Sequence, residues 1–182
     1  MNYVLAQPEF EAAVAALTYI AERIEEPTFH SVFKVLYGAE KRHLAEFAQP
    51  IVGDTYVAMQ RGPVPSVLYD MLKRLRDPRQ SLSIDPRLVE LAKRHLEVRG
   101  KYRLLVRSPA DTEALSASSR KCLDAAVAEI GQMRFGERTK WSHDAAWEAT
   151  PENGVMTWQA IAMTLPNGEI IADHLRDPYP DA

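Results

Sequence analysis

Residues 53–69, GDTYVAMQRGPVPSVLY, constrain the fold of this chain more than any other stretch. Gly53-Asp54 is a turn signal, and Thr55 to Met59 has the β-branched and aromatic content of a short strand. Gly62-Pro63-Val64-Pro65 follows. Each proline fixes φ and removes a backbone donor, so this corner is expected to redirect the chain and not to continue a hydrogen-bonded ladder. A helix over about residues 65–76 then buries Leu68, Met71, Leu72 and Leu75 and stops before Asp77-Pro78. The stretch specifies shape. It holds no nucleophile–base pair and no metal-ligand spacing, which favours a binding module over an enzyme.

The flanking segments supply a helical frame. Phe10, Ala13, Val14, Leu17, Ile20, Ala21 and Ile24 form one apolar stripe, predicting a helix over 8–25 that ends at Glu25-Glu26-Pro27. A second helix starts near residue 29 with Thr28 as N-cap, and its stripe is Phe29, Val32, Phe33, Leu36, Tyr37, Leu44 and Phe47. Glu40 falls in line with that stripe, so if buried it needs a partner, expected to be a Tyr or Arg from another segment. Beyond Asp77-Pro78 and Asp85-Pro86, a short helix is expected at Arg87–Lys93 and a hairpin over 96–106 turning at Gly100. Ser116 is placed to cap a helix over 117–131, and another helix covers about 137–147. A helical turn near Trp158, a Pro-Asn-Gly turn at 166–168 and a polar tail, HLRDPYPDA, expected to fray, complete the chain. The sum is an α+β fold, mostly α, with about five to six helices and a small antiparallel sheet.

Composition narrows the class. With 46% hydrophobic and 26% charged residues, the chain can bury a core. A single cysteine, Cys122, excludes an intramolecular disulfide and fits a reducing compartment. The first residues lack a basic region, and Glu9 and Glu11 interrupt any apolar run, so no secretory signal is expected. No apolar run is long enough to span a membrane. These features predict a cytoplasmic protein. The net charge of −3 hides an asymmetry, since residues 73–107 hold eleven of the 22 Lys and Arg against four acids, a local +7. Such a segment can attract an anionic partner, either nucleic acid or an acidic protein face, or simply solvate a helix and a hairpin.

Catalytic and metal chemistry find little support. His30, His43, His95, His143 and His174 form no HExxH, HxH or Cys-His pair, and no Gly-rich phosphate loop or GxSxG elbow is present. Cys122 lies beside an apolar stripe, as a core residue does. Asp111, His143 and Asp144 make a coincidental acid–base set, and His143 and Trp147, four apart, read as a packing pair with a satisfied imidazole. No enzyme activity, cofactor or metal is expected. The pI of about 6.0 and the absence of helix-turn-helix spacing argue against nucleic acid.

The run FHSVFKVLYGAEKRHL at 29–44, followed by PIVGDTYVAMQRGPVPSVLYDML, resembles the Panacea domain of SocA-like antitoxins. DTEALSASSRKCLDAAV and the SH of KWSHDAAW give a second, weaker match. The motif residues are Gly53, Asp54, Thr55, Gly62, Pro63, Val64, Pro65 and Tyr69, expected chiefly to hold the fold. Arg61 stands where the family often has an aromatic residue, and the segment after about residue 148 has no clear family counterpart. The resemblance implies a Panacea-like domain over 1–148, with 149–182 a partly irregular extension. It further implies an antitoxin that neutralises a cognate protein toxin, encoded by an adjacent gene, through direct binding. An adaptor that delivers its toxin to a protease and a nucleic-acid-binding regulator are the alternatives. Arg61, Arg99, Lys101 and Arg103 are the candidate partner-binding surface. Neither the toxin nor the oligomeric state is implied.

Overall fold

The computed structural model describes residues 7–176. Its helices are Gln7–Ala21 (α1), Phe29–Phe47 (α2), Ser66–Arg76 (α3), Pro86–His95 (α4), Ala117–Glu129 (α5), Phe135–Ser142 (α6), Ala145–Glu148 (α7), Trp158–Ala162 (α8) and Gly168–Arg176 (α9). Its strands are Tyr56–Met59 (β1), Gly62–Pro65 (β2), Leu96–Arg99 (β3), Arg103–Val106 (β4) and Val155–Met156 (β5). The fold is α+β and mostly helical, but with nine α-helices among the described residues and not five or six. Short elements account for the difference. The expected helix over 137–147 is two, because the backbone leaves helical geometry at His143 and Asp144 caps α7 through the N–H groups of Ala146 and Trp147. The start of the expected polar tail, His174 to Arg176, closes α9, and residues 177–182 lie outside the described residues.

Helix α2 is the axis of the fold. Thr28 caps it as expected: its hydroxyl accepts from the Ser31 N–H, and the Ser31 hydroxyl accepts from the Thr28 N–H. Every residue from Ser31 to Glu40 is buried, because the helix is covered on two sides. Val32, Phe33, Leu36 and Ala39 join a core with α1, α3, α4, α5 and the β3–β4 hairpin. Tyr37 and Leu44 join a second core with Tyr56, Ala58, Met156, Ile161 and Ile171. The apolar stripe stops at Leu44, since Phe47 is 42% exposed and lies against His43. Helix α1 ends at Ala21, earlier than the sequence suggests, although Ile24 stays buried beyond it.

The strands form an antiparallel sheet of order β2-β1-β5 and a separate β3–β4 hairpin. The Gly-Pro-Val-Pro corner does join a ladder, contrary to expectation. It pairs with β1 as the edge strand, with Pro63 opposite Ala58 and Pro65 opposite Tyr56. The Ser66 N–H donates to the Thr55 carbonyl at 2.9 Å, so antiparallel alternation puts both prolines at positions that form no bond to β1. An edge strand tolerates their missing donors. The β3–β4 hairpin is tied to the start of α2, where the Phe29 N–H donates to the Tyr102 carbonyl at 3.0 Å and the Leu104 N–H to the Pro27 carbonyl at 2.7 Å. No helix among the described residues is long and apolar enough to cross a membrane.

Candidate functional site

Two buried carboxylates fix the chain between α2 and α3. Glu40 is fully buried and accepts from three successive backbone N–H groups, those of Ile51, of Val52 at 3.1 Å and of Gly53 at 3.2 Å. Its partner is therefore loop backbone, not the Tyr or Arg expected. Asp54, equally buried, accepts from Val67 N–H at 3.1 Å and Leu68 N–H at 2.9 Å. It caps α3 from a distance, which matters because Pro65 at the N-cap has no side-chain cap to offer. Burial pushes the Glu40 carboxyl up to about 7 and Asp54 up to about 6, against the lowering effect of these N–H donors. Gly62 has φ +95, and a Cβ there would sit 2.2 Å from the Ser142 hydroxyl and 2.9 Å from Lys34 Cε. Only glycine lets the β1–β2 turn close onto α2 and the end of α6.

The frame opens on one side into an aromatic groove of about 370 Å³. Its floor is the first two turns of α2, where Phe29 and Phe33 lie one turn apart, as do His30 and Lys34. One wall is the β1–β2 hairpin with Met59, Arg61 and Val64; the other carries Tyr69 of α3 and Tyr102 at the β3–β4 turn. Phe29 meets Tyr69 and Tyr102 edge to face, with centroids 6.2 and 5.7 Å away. At the open end Phe135 stacks on His30 at 4.1 Å, with the Arg61 guanidinium 5.5 Å from the Phe135 ring. Phe135 is 51% exposed and Tyr102 41%, so the groove presents aromatic surface to solvent.

The polar groups of the groove are unusual. Lys34 is 1% exposed and donates to the Pro63 carbonyl at 2.7 Å, with no carboxylate in ion-pair distance among the described residues. Burial pushes its ammonium down to about 7. Burial, together with the charges of Lys34, Arg138 and Arg61, pushes His30 down to about 3, so its imidazole is neutral. The Thr139 hydroxyl donates to the Phe135 carbonyl at 2.9 Å and hence accepts from His30 Nε2, 2.9 Å away. That fixes the tautomer and leaves His30 Nδ1 as a buried acceptor with no partner. Among the described residues no Asp or Glu lines the groove.

The structure brings some candidate residues together and separates others. Arg61, Val64 and Tyr69 line the groove. Lys101 flanks it, its ammonium 5.3 Å from the Tyr102 ring, with Arg76 at 6.0 Å. Arg99 and Arg103 are exposed cross-strand neighbours on the hairpin, away from the groove lining. Thr55, Pro63 and Pro65 are ladder residues. Much of the basic segment is neutralised locally, by Lys73–Asp70, Arg79–Asp77, Arg87–Asp85, Lys93–Glu90 and Arg107–Glu97 pairs. Lys34, Phe135 and Tyr102 were not singled out from the sequence, and His30 figured there only as a metal-ligand candidate. The available signal was Lys34 within SVFKVLYGA, a lone cation in an otherwise apolar or small-residue run.

The remaining candidates have structural partners. Asp144 caps α7, pairs with Lys41 at 2.6 Å and accepts from the Tyr37 hydroxyl at 2.9 Å; Asp111 caps a 3-10 turn. His43 bridges the Gln49 carbonyl and the Ser118 hydroxyl. His143 stacks on Trp147 at 3.6 Å, as the spacing suggests, but its buried Nε2 lacks a hydrogen-bond partner, so the imidazole is not satisfied. Burial raises the Cys122 thiol, which keeps it protonated. Among the described residues no group of three or more His, Cys, Asp or Glu could hold a metal ion.

No curated protein and no solved structure matches the chain. The family model for the SocA-like antitoxin, Panacea domain, matches residues 32–148, a span running from the groove floor through β1, β2 and α3 to the end of α7. That span is well over half of the 182 residues, and on it this chain belongs to the SocA-like antitoxin family of Panacea domains.

Proposed function

We propose that the protein is an antitoxin that binds a cognate protein toxin, encoded by an adjacent gene, and neutralises it in the cytoplasm without catalysis. Residues 1–148 act as the neutralising domain, with 149–182 an extension. The observation that carries this reading is the family match over residues 32–148. The aromatic groove supports it, because aromatic side chains beside an Arg are the residue types that dominate protein–protein binding energy. Arg61 and Lys101 border that surface, and Arg99 and Arg103 extend it along the hairpin.

The test is growth of cells that express the adjacent gene alone and then together with this one. Arrest by the neighbour, relieved by co-expression and accompanied by a complex that co-purifies, is the expected result. A harmless neighbour on both sides of the gene would overturn the reading.

A further inference from the structure

The groove combines an apolar floor with positive charge that the protein does not itself balance. Among the described residues Lys34 is buried without a carboxylate partner, Arg61 stands at the rim over Phe135, and the lining holds no acid. A buried cation without a counter-ion is unfavourable in a low-dielectric site, and an anion brought alongside it relieves that cost. The exposed aromatic surface of Phe135 and Tyr102 likewise lacks cover in the free chain. Both deficits have the same remedy. We propose that the groove receives an apolar–acidic segment of the partner protein: a large aromatic or aliphatic side chain packs against the exposed faces of Tyr102 and Phe135, over the Phe29 and Phe33 floor, and an Asp or Glu within two positions of it lies against Arg61, above Lys34.

This deepens the antitoxin reading and rests on it only for the partner being a protein. The groove spans α2, the β1–β2 hairpin, α3 and the β3–β4 turn, all rigidly joined through the frame described above. A preformed groove keeps the ordering penalty on the segment alone.

The experiment is selection from a random peptide display library on the full chain, followed by affinity measurement on the enriched peptides. Enriched sequences are expected to carry an aromatic or large aliphatic residue with Asp or Glu within two positions. Changing that acid to its amide should weaken binding about tenfold, the worth of one charge-assisted hydrogen bond. Arg61→Glu, at an exposed turn where folding is undisturbed, should do the same or more, and Lys34→Met is the second variant. Arg94→Glu changes the net charge equally but lies in a separate cleft against Phe10, and should leave binding unchanged. Enrichment without acids, or an equal loss with Arg61→Glu and Arg94→Glu, would overturn the proposal. The growth assay separates the two readings. If Arg61→Glu and Lys34→Met still rescue growth fully, the groove assignment falls and the antitoxin reading stands. If no neighbour is toxic, the antitoxin reading falls, and the peptide selection still decides the chemistry of the groove.

Discussion

Glu40→Gln is expected to destabilise the protein at about pH 4 and to stabilise it at about pH 8, a reversal that follows from how Glu40 is buried. The carboxyl is enclosed by α2 and the loop that follows, and burial, only partly offset by the N–H groups of Ile51, Val52 and Gly53, moves it from its ordinary 4.5 to about 7. A carboxyl raised in the folded state contributes fully below its unfolded value, and that contribution is lost as pH rises through the folded one. The shift from 4.5 to about 7 is worth about 3 kcal/mol, lost between roughly pH 4.5 and 7. Near pH 4 the carboxyl is largely protonated in both states, so the variant differs mainly in replacing one acceptor oxygen by an amide that faces N–H donors, which costs about 1 kcal/mol. Near pH 8 it escapes the burial of an ionised carboxylate and gains about 2 kcal/mol over the parent. Urea unfolding followed by the fluorescence of Trp141, Trp147 and Trp158 measures the difference at each pH, and subtracting the parent removes the parallel titration of Asp54. A deficit of the same size and sign at both pH values would refute the argument and mean that the three N–H donors hold Glu40 ionised throughout.

Asp54→Ala removes the acceptor for Val67 and Leu68 N–H and strands two donors at the start of α3, so a loss of about 2–3 kcal/mol is expected, read as a thermal midpoint several degrees lower. Gly62→Ala meets both a positive φ and contact with Ser142 and Lys34, and should lower stability by about 2–4 kcal/mol in chemical denaturation, whereas Gly100→Ala, with nothing within 4 Å of its Cβ, should lose about 1 kcal/mol. In a pulse–chase experiment the toxin's lifetime should be unchanged by this protein if it blocks by binding; a shortened lifetime would instead support delivery to a protease.

Much of the frame was legible because local signals agree with the fold. The Thr28 cap, the Tyr56–Met59 strand, the hairpin at Gly100 and the Ser116 cap all lie within a few residues of the contacts that justify them. What stayed hidden depends on remote partners. Prolines forbid a central strand but not an edge, and nothing local reveals that β5, about a hundred residues on, covers the other side of β1. Glu40 stood out in an apolar stripe, yet its acceptor role toward loop N–H groups depends on a turn whose path the sequence leaves open. The groove was less legible still. Its aromatic lining comes from α2, α3, the β3–β4 turn and α6, and residues such as Phe29 and Phe33 read from sequence as ordinary core. The basic segment stayed open in the sequence, because pairs such as Arg79–Asp77, Lys93–Glu90 and Arg107–Glu97 distribute its charge without removing the local excess.

The two carboxylates that join α2, the loop and α3 grip main-chain N–H groups and no side chain at all. A latch of that kind is blind to spelling. The identities of Ile51, Val52 and Val67 can be exchanged for anything their packing admits, and the latch still closes, because every residue but proline brings the same donor. Mutational tolerance should therefore be uneven along this segment: positions 40 and 54 need a side chain that accepts from these N–H groups, while Ile51, Val52 and Val67 are free to change within what their packing admits. A lineage that must keep pace with changing partners can rewrite the lettering around the groove while its frame stays shut.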